Sequence, residues 1–275
     1  MLDLALLRYP AICAEIFIAD PDKMLGVLSS NKDLLDKVFS FFKRPDVHLL
    51  VANMVIKLLG ALLASKTAQI VAYLKSDGVW LQDCVAHLEA AAVHEWLIKL
   101  VALDASHGML AHLINSKLPD LLVAAFAKER SIQHPDVVQG VTDLLGSVQW
   151  DNALVQALAS KVYVDKLFQA IFDKSNVSAL RYAPRVLIAL LKLLNVANQP
   201  AADDPTKRLF PAGTALKDLP VIVQIVVANV PQLLALLKQA PLAKHLKMQD
   251  NTSVEVFGPH RVVVLELVRS AARLS

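Results

Sequence analysis

The sequence has little of what marks the common catalytic, disulfide-rich and nucleic-acid-binding folds. Only 8 of the 275 residues are glycine, which disfavours a β-sandwich, a β-barrel or a glycine-loop nucleotide fold, because these need many tight turns. Aromatic residues make up only 6% of the chain. The formal net charge is +3 and no block of five basic residues occurs, so the clustered charge that phosphate binding needs is missing. We therefore expect no nucleic-acid partner.

The two cysteines are too few for a disulfide framework. The separation between Cys13 and Cys84 fits no zinc-binding spacing, and both lie within apolar helical stretches. This pattern predicts two buried free thiols in a reducing compartment. The first residues lack the basic region and the long apolar stretch of a secretory signal peptide. We therefore expect a cytoplasmic protein, with the nucleus as a second location.

No catalytic signature is present in the sequence. The motifs of serine hydrolases, zinc proteases, P-loop proteins and dinucleotide-binding folds do not occur. Histidines lie close to acidic residues at His94 with Glu95 and at His87 with Glu89. Neither pair has the i, i+4 spacing by which two metal ligands share one face of a helix. We expect surface or partly packed histidines, no metal, no cofactor and no enzymatic activity.

What the sequence does contain is helical periodicity, repeated almost from end to end in a chain that is 55% hydrophobic. The segment 47–63 shows it best, with apolar residues at Val47, Leu50, Val51, Met54, Val55, Leu58, Leu59, Leu62 and Leu63. This spacing predicts an amphipathic helix with a narrow polar face. A helix with so little polar surface must be covered from two sides, and stacked helical pairs provide that cover.

About fourteen helical segments can be traced, and a pair of them takes about forty residues, the size of an armadillo or HEAT unit. We predict an all-α fold, an irregular armadillo/HEAT-like α-solenoid of stacked helical pairs. Residues 1–275 would form a single helical-repeat domain. An exposed linker at about 198–218, which holds Pro200, Pro205 and Pro211, would join two parts of the stack.

One segment raises the alternative of an integral membrane protein. The longest uncharged run, from Leu219 to Leu237, is long enough to cross a bilayer. It contains prolines and amides that would be costly in lipid, namely Pro220, Gln224, Asn229, Pro231 and Gln232. Pro231 indicates a kink or a boundary between two buried helices. We expect no membrane span.

The last predicted helix, from about Pro259 to Leu274, is the most distinctive element. Three consecutive valines would suit a strand, but the helical spacing of the residues after them favours a helix. In that helix the predicted apolar face consists of Leu265, Val268, Ala271 and Ala272. The charged residues Glu266 and Arg269 lie opposite this face.

Charged residues at turns and helix ends are the candidate partner contacts. Gly258 followed by Pro259 gives the last helix a sharp entry, with proline in its first turn. His260 and Arg261 stand at the mouth of that turn, and Arg8 lies near the start of the chain. We predict that Arg8, His260 and Arg261 contact a partner protein. The alternative is that they are ordinary solvated residues or helix caps.

Four segments match, in order, the pattern of one known family. The segment 8–16 is similar to a K-Y-P-x-x-A-x-E-I/V opening, and the segment 34–52 to L-L-x-x-x-F-x-F-L followed by P-L-L-A. The segment 57–74 is similar to S-K-x-L-G-x-L-L followed by Q-x-x-x-F/Y-L-K, and the segment 258–266 to a late G-x-x-R-L-K-V-V-E helix. Together they resemble the SAPS family of phosphatase-associated proteins.

This resemblance implies a function. The SAPS family supplies regulatory subunits of the type 6 serine/threonine protein phosphatase and of its fungal equivalent. The chain would then be a non-catalytic regulatory or scaffold subunit that binds a type 6-like phosphatase catalytic subunit and positions it with a third protein. The alternative is a general armadillo/HEAT-like protein-binding adaptor unrelated to phosphatases. Partner identity separates the two hypotheses.

Overall fold

The computed structural model describes residues 4–19, 23–45, 47–76, 79–127, 134–199, 208–211, 213–238, 245–247, 253–255 and 258–274. Within these ranges the chain is helical apart from short connections and one small pair of strands, which confirms the predicted all-α class. The α-helices are α1 (Leu4–Ala19), α2 (Met24–Ser30), α3 (Lys32–Phe39), α4 (Leu49–Ser65), α5 (Thr67–Ser76), α6 (Val79–Val85), α7 (Ala91–Ala102), α8 (Asp104–His107), α9 (Met109–Asn115), α10 (Leu118–Ala127), α11 (His134–Gly146), α12 (Ala153–Leu158), α13 (Lys161–Phe172), α14 (Val177–Ala197), α15 (Val221–Leu237) and α16 (Pro259–Ala272).

Shorter elements complete the described chain. Two 3-10 helices span Ser40–Lys43 and Leu216–Asp218. The strands β1 (His245–Lys247) and β2 (Ser253–Glu255) pair antiparallel and join the region of α15 to α16.

The chain divides into two compact units. The first comprises Met1–Ala125 and Pro135–Leu144, and the second comprises Phe126–His134 and Leu145–Ser275. The divisions therefore fall near the end of α10 and within α11, and the predicted linker at 198–218 lies inside the second unit. That the helices stack as a solenoid stays a prediction.

Helix α4 forms the centre of the first unit, where it packs against α1 and α7. Of the predicted apolar stripe, Leu59, Leu62 and Leu63 are buried, while Val51, Met54, Val55 and Leu58 are only half buried. The buried face is completed by Ala52 and Ile56, which are not among the residues of that stripe. The first turn differs, because Leu49 and Leu50 are half exposed, at 54% and 50%. Burying each of the larger side chains contributes about 1.5–3 kcal/mol relative to leaving it in water.

Several aromatic residues of the first unit form one cluster around Phe39. Its ring centroid lies 5.3 Å from that of Tyr73 and 6.0 Å from that of Trp80, the latter in an edge-on arrangement. Trp80 is buried, and its indole Nε1 donates to the Leu74 carbonyl at 2.9 Å. This bond satisfies a carbonyl in the last turn of α5, which has no partner within its own helix. The cluster thus fixes how α3, α5 and α6 meet.

Helix α14 is the centre of the second unit and packs against α13 and α16. The helix continues through Pro184, which is itself buried. Proline in a helix interior removes one backbone hydrogen bond. The buried side chains on both sides, among them Ala183, Leu187 and Leu190, outweigh that loss.

Helix α15 corrects one expectation. It is a single helix from Val221 to Leu237 with Pro231 inside it, so the predicted boundary between two helices is wrong. The Pro231 side is exposed, while Val226 before it and Leu233 after it are buried on the opposite side. Continuous burial of that side holds the helix together across the proline.

No single helix in the described ranges is long and apolar enough to cross a membrane. Helices α4 and α5 reach the required length and composition only when they are taken together, and they are bent by 116° where they join.

The predicted linker is only partly covered by the described ranges, since 200–207 and 212 lie outside them. Its described residues are mostly exposed, apart from the buried Phe210. The Phe210 backbone N–H donates to Asn198 Oδ1 at 3.0 Å, which ties this part of the loop to the end of α14.

Candidate partner-binding surfaces

The entry to α16 has the geometry that its sequence predicts. Gly258 caps the helix with a φ of 86°, a conformation that residues with a side chain rarely adopt. Pro259 follows in the first turn, where the lack of an N–H costs no helical hydrogen bond. This turn sets the direction in which His260 and Arg261 leave the backbone.

His260 points into the second unit rather than toward solvent. It is only 9% exposed, so the expectation that it is an accessible charge is wrong. Burial, and then the charge of Arg261, lower the pKa of its imidazole below the ordinary value of 6.5. Burial disfavours the charged form because the interior solvates it poorly. At neutral pH, His260 is an uncharged part of the core.

The lowered pKa of His260 predicts a loss of stability in acid. As the pH falls through 6.5, His260 becomes protonated in the unfolded chain but stays neutral in the folded chain. Protonation therefore favours the unfolded chain, and the free energy of unfolding falls below that pH. His112 acts in the same direction, since burial lowers its pKa too. We expect a His260→Gln variant to lose less melting temperature than the wild type between about pH 7.5 and about pH 5.5. Equal losses in the two proteins would contradict this assignment.

Arg261 lies at one edge of the outward face of α16. This face, which we call the α16 surface, consists of two apolar and three charged residues, namely Arg261, Val262, Leu265, Glu266 and Arg269. Val262 and Leu265 are 55% and 44% exposed, and Glu266 lies 3.3 Å from Lys192 of α14. An apolar centre rimmed by charge is the usual composition of a protein-binding patch.

The buried face of α16 differs from the predicted one. It consists of His260, Val263, Val264, Leu267 and Ala271, which lie on the side toward α14 and α15. Leu265 and Ala272 were expected on this face but are exposed. Periodicity alone left the direction of the stripe ambiguous, since this helix has apolar residues on both sides.

Arg8 lies on α1, in the first unit, and is exposed. Its helix has an outward apolar stripe, with Tyr9 72%, Ile12 44% and Ile16 52% exposed. Cys13 lies on the same stripe and is also exposed, so the prediction that both cysteines are buried is wrong for Cys13. We call the five residues Arg8, Tyr9, Ile12, Cys13 and Ile16 the α1 surface.

The structure thus places His260 and Arg261 in one turn and Arg8 in the other unit. Whether any of the three contacts a partner stays a prediction. The exposed apolar residues of both surfaces were missed, because helical periodicity assigns apolar positions to the core. The available signal was the near absence of polar residues from α1, which leaves it an apolar face beyond the one it buries.

The two histidines beside acidic residues are buried, so they are packed more completely than the expected surface or partly packed positions. His87 is 4% exposed; its Nε2 donates to the Phe42 carbonyl at 2.9 Å, and its Nδ1 lies 3.5 Å from Glu89. His94 is 6% exposed and hydrogen-bonds through Nε2 to the Leu88 carbonyl. Both serve packing. Among the described residues no three His, Cys, Asp or Glu side chains are grouped to hold a metal ion.

The two cysteines should differ sharply in reactivity. Burial, and then the charge of Asp83, raise the pKa of the Cys84 thiol to about 12, so it carries almost no reactive thiolate. Cys13 is exposed. A thiol reagent should modify one cysteine of the native protein and both after urea unfolding. In a Cys13→Ser variant the native signal should vanish, and modification of Cys84 in the folded protein would contradict this prediction.

Comparison with known proteins identifies the family. The family model named SAPS, described as SIT4 phosphatase-associated protein, matches residues 59–275. The segments 8–16 and 34–52 precede the matched residues, whereas 258–266 lies within them. No solved structure matches the chain.

Curated relatives carry related names. Serine/threonine-protein phosphatase 6 regulatory subunit 2 of Homo sapiens is 22% identical over 213 residues, which cover 71% of this chain and 22% of that protein. The Mus musculus counterpart is 25% identical over 214 residues, 71% of this chain and 23% of that protein. Regulatory subunit 3-B of Xenopus laevis is 23% identical over 205 residues, 67% of this chain and 24% of that protein. The chain spans about a quarter of the length of these relatives. Because the family model matches most of the chain, this protein belongs to the SAPS family.

Proposed function

We propose that this chain is a non-catalytic regulatory and scaffold subunit that binds a type 6-like serine/threonine protein phosphatase catalytic subunit. The observation that carries the proposal is the SAPS match over residues 59–275. The names of the relatives, which are regulatory subunits of protein phosphatase 6, support it further. A regulatory subunit acts through contact area and orientation, so it needs an ordered surface rather than reacting groups.

The α16 surface is the part of the matched residues that suits this role best. Val262 and Leu265 are exposed on a helix whose other side is held by α14 and α15. A partner that covers them would gain apolar burial without the cost of ordering a loop. Arg261 and Arg269 lie on the same face and would orient an acidic partner surface by charge. We place the phosphatase contact here.

The first test is copurification. The tagged chain is recovered from its own cell extract, and the proteins that accompany it are identified by mass spectrometry. The proposal expects a type 6-like phosphatase catalytic subunit in near-stoichiometric amount. Recovery of other partners without any phosphatase subunit would contradict it and would favour the general adaptor.

The second test locates the contact with purified proteins. A Val262→Asp, Leu265→Asp variant should bind the catalytic subunit at least about tenfold more weakly, because two apolar contacts at the centre of the patch are lost. Val162→Asp on α13 is the matched control, since Val162 is 60% exposed in the same unit but lies off the α16 surface. If both variants bound the catalytic subunit equally well, the phosphatase contact would lie on a face other than the α16 surface.

Two finer points belong to the same proposal. We propose that a third scaffold or substrate protein joins the complex, and that the complex acts in the cytoplasm and also in the nucleus. The copurification experiment, repeated on separated cytoplasmic and nuclear fractions, tests both points. A chain confined to another fraction, or a complex of only two proteins, would contradict them.

A further inference from the structure

Helix α1 has two apolar faces, and in the described part of the chain only one of them is covered. One face packs against α4, where Ala14 is buried and Ala11 and Ile18 are half buried. The α1 surface, on the opposite side, carries Tyr9 and Ile16 at 72% and 52% exposure. Single exposed apolar residues are ordinary, but a contiguous stripe along two turns of helix indicates a docking surface.

The spacing of this stripe fits another helix. Tyr9, Ile12, Cys13 and Ile16 follow the i, i+3, i+4, i+7 pattern, so their side chains form one straight seam. A seam of this kind packs against a second helix by inserting side chains between those of the partner. The seam has large side chains at both ends and the smaller Cys13 near its middle. Such a seam matches a copy of itself that runs in the opposite direction.

The charges beside the seam point to the same partner. Arg8 and Glu15 lie on one flank of α1, two turns apart, with the positive charge toward the helix start and the negative charge toward its end. Glu15 accepts from Lys57 Nζ at 2.5 Å, yet its side chain is 65% exposed and so stays accessible. In an antiparallel pair of identical helices, Arg8 of each copy faces Glu15 of the other. In a parallel pair this flank would face the opposite flank of the partner, so Arg8 and Glu15 could not pair with each other.

We propose that the α1 surface binds the α1 surface of a second copy of this chain, in an antiparallel pair with a two-fold axis near Cys13. The contact is isologous, so every interaction occurs twice. The apolar seam provides the affinity, and the two Arg8–Glu15 pairs set the antiparallel direction. This inference does not depend on the proposed phosphatase contact, which lies in the matched residues of the second unit.

Cross-linking through Cys13 tests the geometry in the purified full chain. A short bismaleimide should join two copies, because the two Cys13 thiols approach each other at the axis while Cys84 is buried. A Cys13→Ser variant should give no cross-linked dimer. An Ile12→Asp, Ile16→Asp variant should also give none while it keeps its helical circular dichroism and melting temperature, since both side chains are exposed.

Charge reversal tests the direction, with the dimer dissociation constant measured by sedimentation velocity. Arg8→Glu alone and Glu15→Arg alone should each weaken the dimer about tenfold, because two exposed pairs of up to about 1 kcal/mol each become repulsive. The double variant Arg8→Glu, Glu15→Arg should restore the dimer to within about threefold of the wild type, which a purely structural role of either residue would not do.

Three results would overturn the proposal. One is a chain that stays monomeric up to about 100 µM, which corresponds to a dissociation constant well above that value. Another is a dimer that survives Ile12→Asp, Ile16→Asp. The third is a Cys13 that becomes protected from labelling only when a phosphatase catalytic subunit is added, which would assign the α1 surface to that subunit.

Discussion

An Asn176→Ala variant is expected to lose about 2–4 kcal/mol of unfolding free energy. Asn176 is 4% exposed, and its side chain makes two hydrogen bonds. Its Oδ1 accepts from the Ala179 backbone N–H at 2.9 Å and caps α14, and its Nδ2 donates to the Phe126 carbonyl at 3.0 Å. Loss of a cap costs about 0.5–2 kcal/mol, and a buried carbonyl left without a partner costs about 1–3 kcal/mol. The total loss of unfolding free energy is measured by urea unfolding, with circular dichroism as the signal.

Two further variants separate the cap from the carbonyl bond. Asn152 caps α12 through one bond from the Leu154 backbone N–H at 3.0 Å and is half exposed, so Asn152→Ala should cost only about 1 kcal/mol. Asn176→Ser keeps a capping oxygen but is too short to reach Phe126, so it should fall between wild type and Asn176→Ala. If Asn176→Ala were no more costly than Asn152→Ala, the bond to Phe126 would carry no stability.

A Gly140→Ala variant is expected to lose about 1–3 kcal/mol, although alanine is the better helix former. A Cβ at Gly140 would lie 2.5 Å from both Cδ2 and Nε2 of the His94 ring. His94 cannot easily move, because it is buried and hydrogen-bonded to the Leu88 carbonyl. Tryptophan fluorescence during urea unfolding follows the effect, since Trp96 is fully buried in the same unit.

Gly60→Ala is the matched control for Gly140→Ala. Gly60 also lies inside a helix, but its added Cβ would meet only the mobile Nζ of Lys99 at 3.6 Å. There alanine should stabilise the protein by about 0.5–1 kcal/mol. In a His94→Ala background Gly140→Ala should cost little unfolding free energy, because the imidazole ring that clashes with the added Cβ is absent. A cost that persists in that background would place the strain elsewhere.

Helices with one clear apolar stripe could be predicted from the sequence. The helix α4 follows from 3.6-residue periodicity, although its buried face includes Ala52 and Ile56 and leaves Leu50 exposed. Of the two alternatives at Pro231, a kink or a boundary, the boundary is wrong, because tertiary burial on one side maintains the helix where local propensity favours a break. The entry to α16 was predictable, since Gly258 and Pro259 each allow few backbone conformations.

The candidate surfaces were less predictable, because exposure depends on what packs against each face. His260 follows a glycine–proline turn, where a charged residue is expected to reach solvent, yet the rotation of α16 turns its side chain inward. Tyr9 and Ile16 look like core residues, since they share a helix with others that are buried. The close approach of His94 to Gly140 joins residues far apart in sequence and leaves no local pattern.

The order of segments along the chain limits how this protein can be cut or rearranged. Phe126–His134 belongs to the second unit, and Pro135–Leu144, which comes later, belongs to the first. A fragment that ends at residue 125 would lack Gly140, which has no side chain and so leaves room for the ring of His94. A fragment that starts at residue 145 would lack Phe126, whose carbonyl accepts a hydrogen bond from Asn176. No single break releases two complete modules. A single cut in the chain would therefore leave at least one of the two units incomplete.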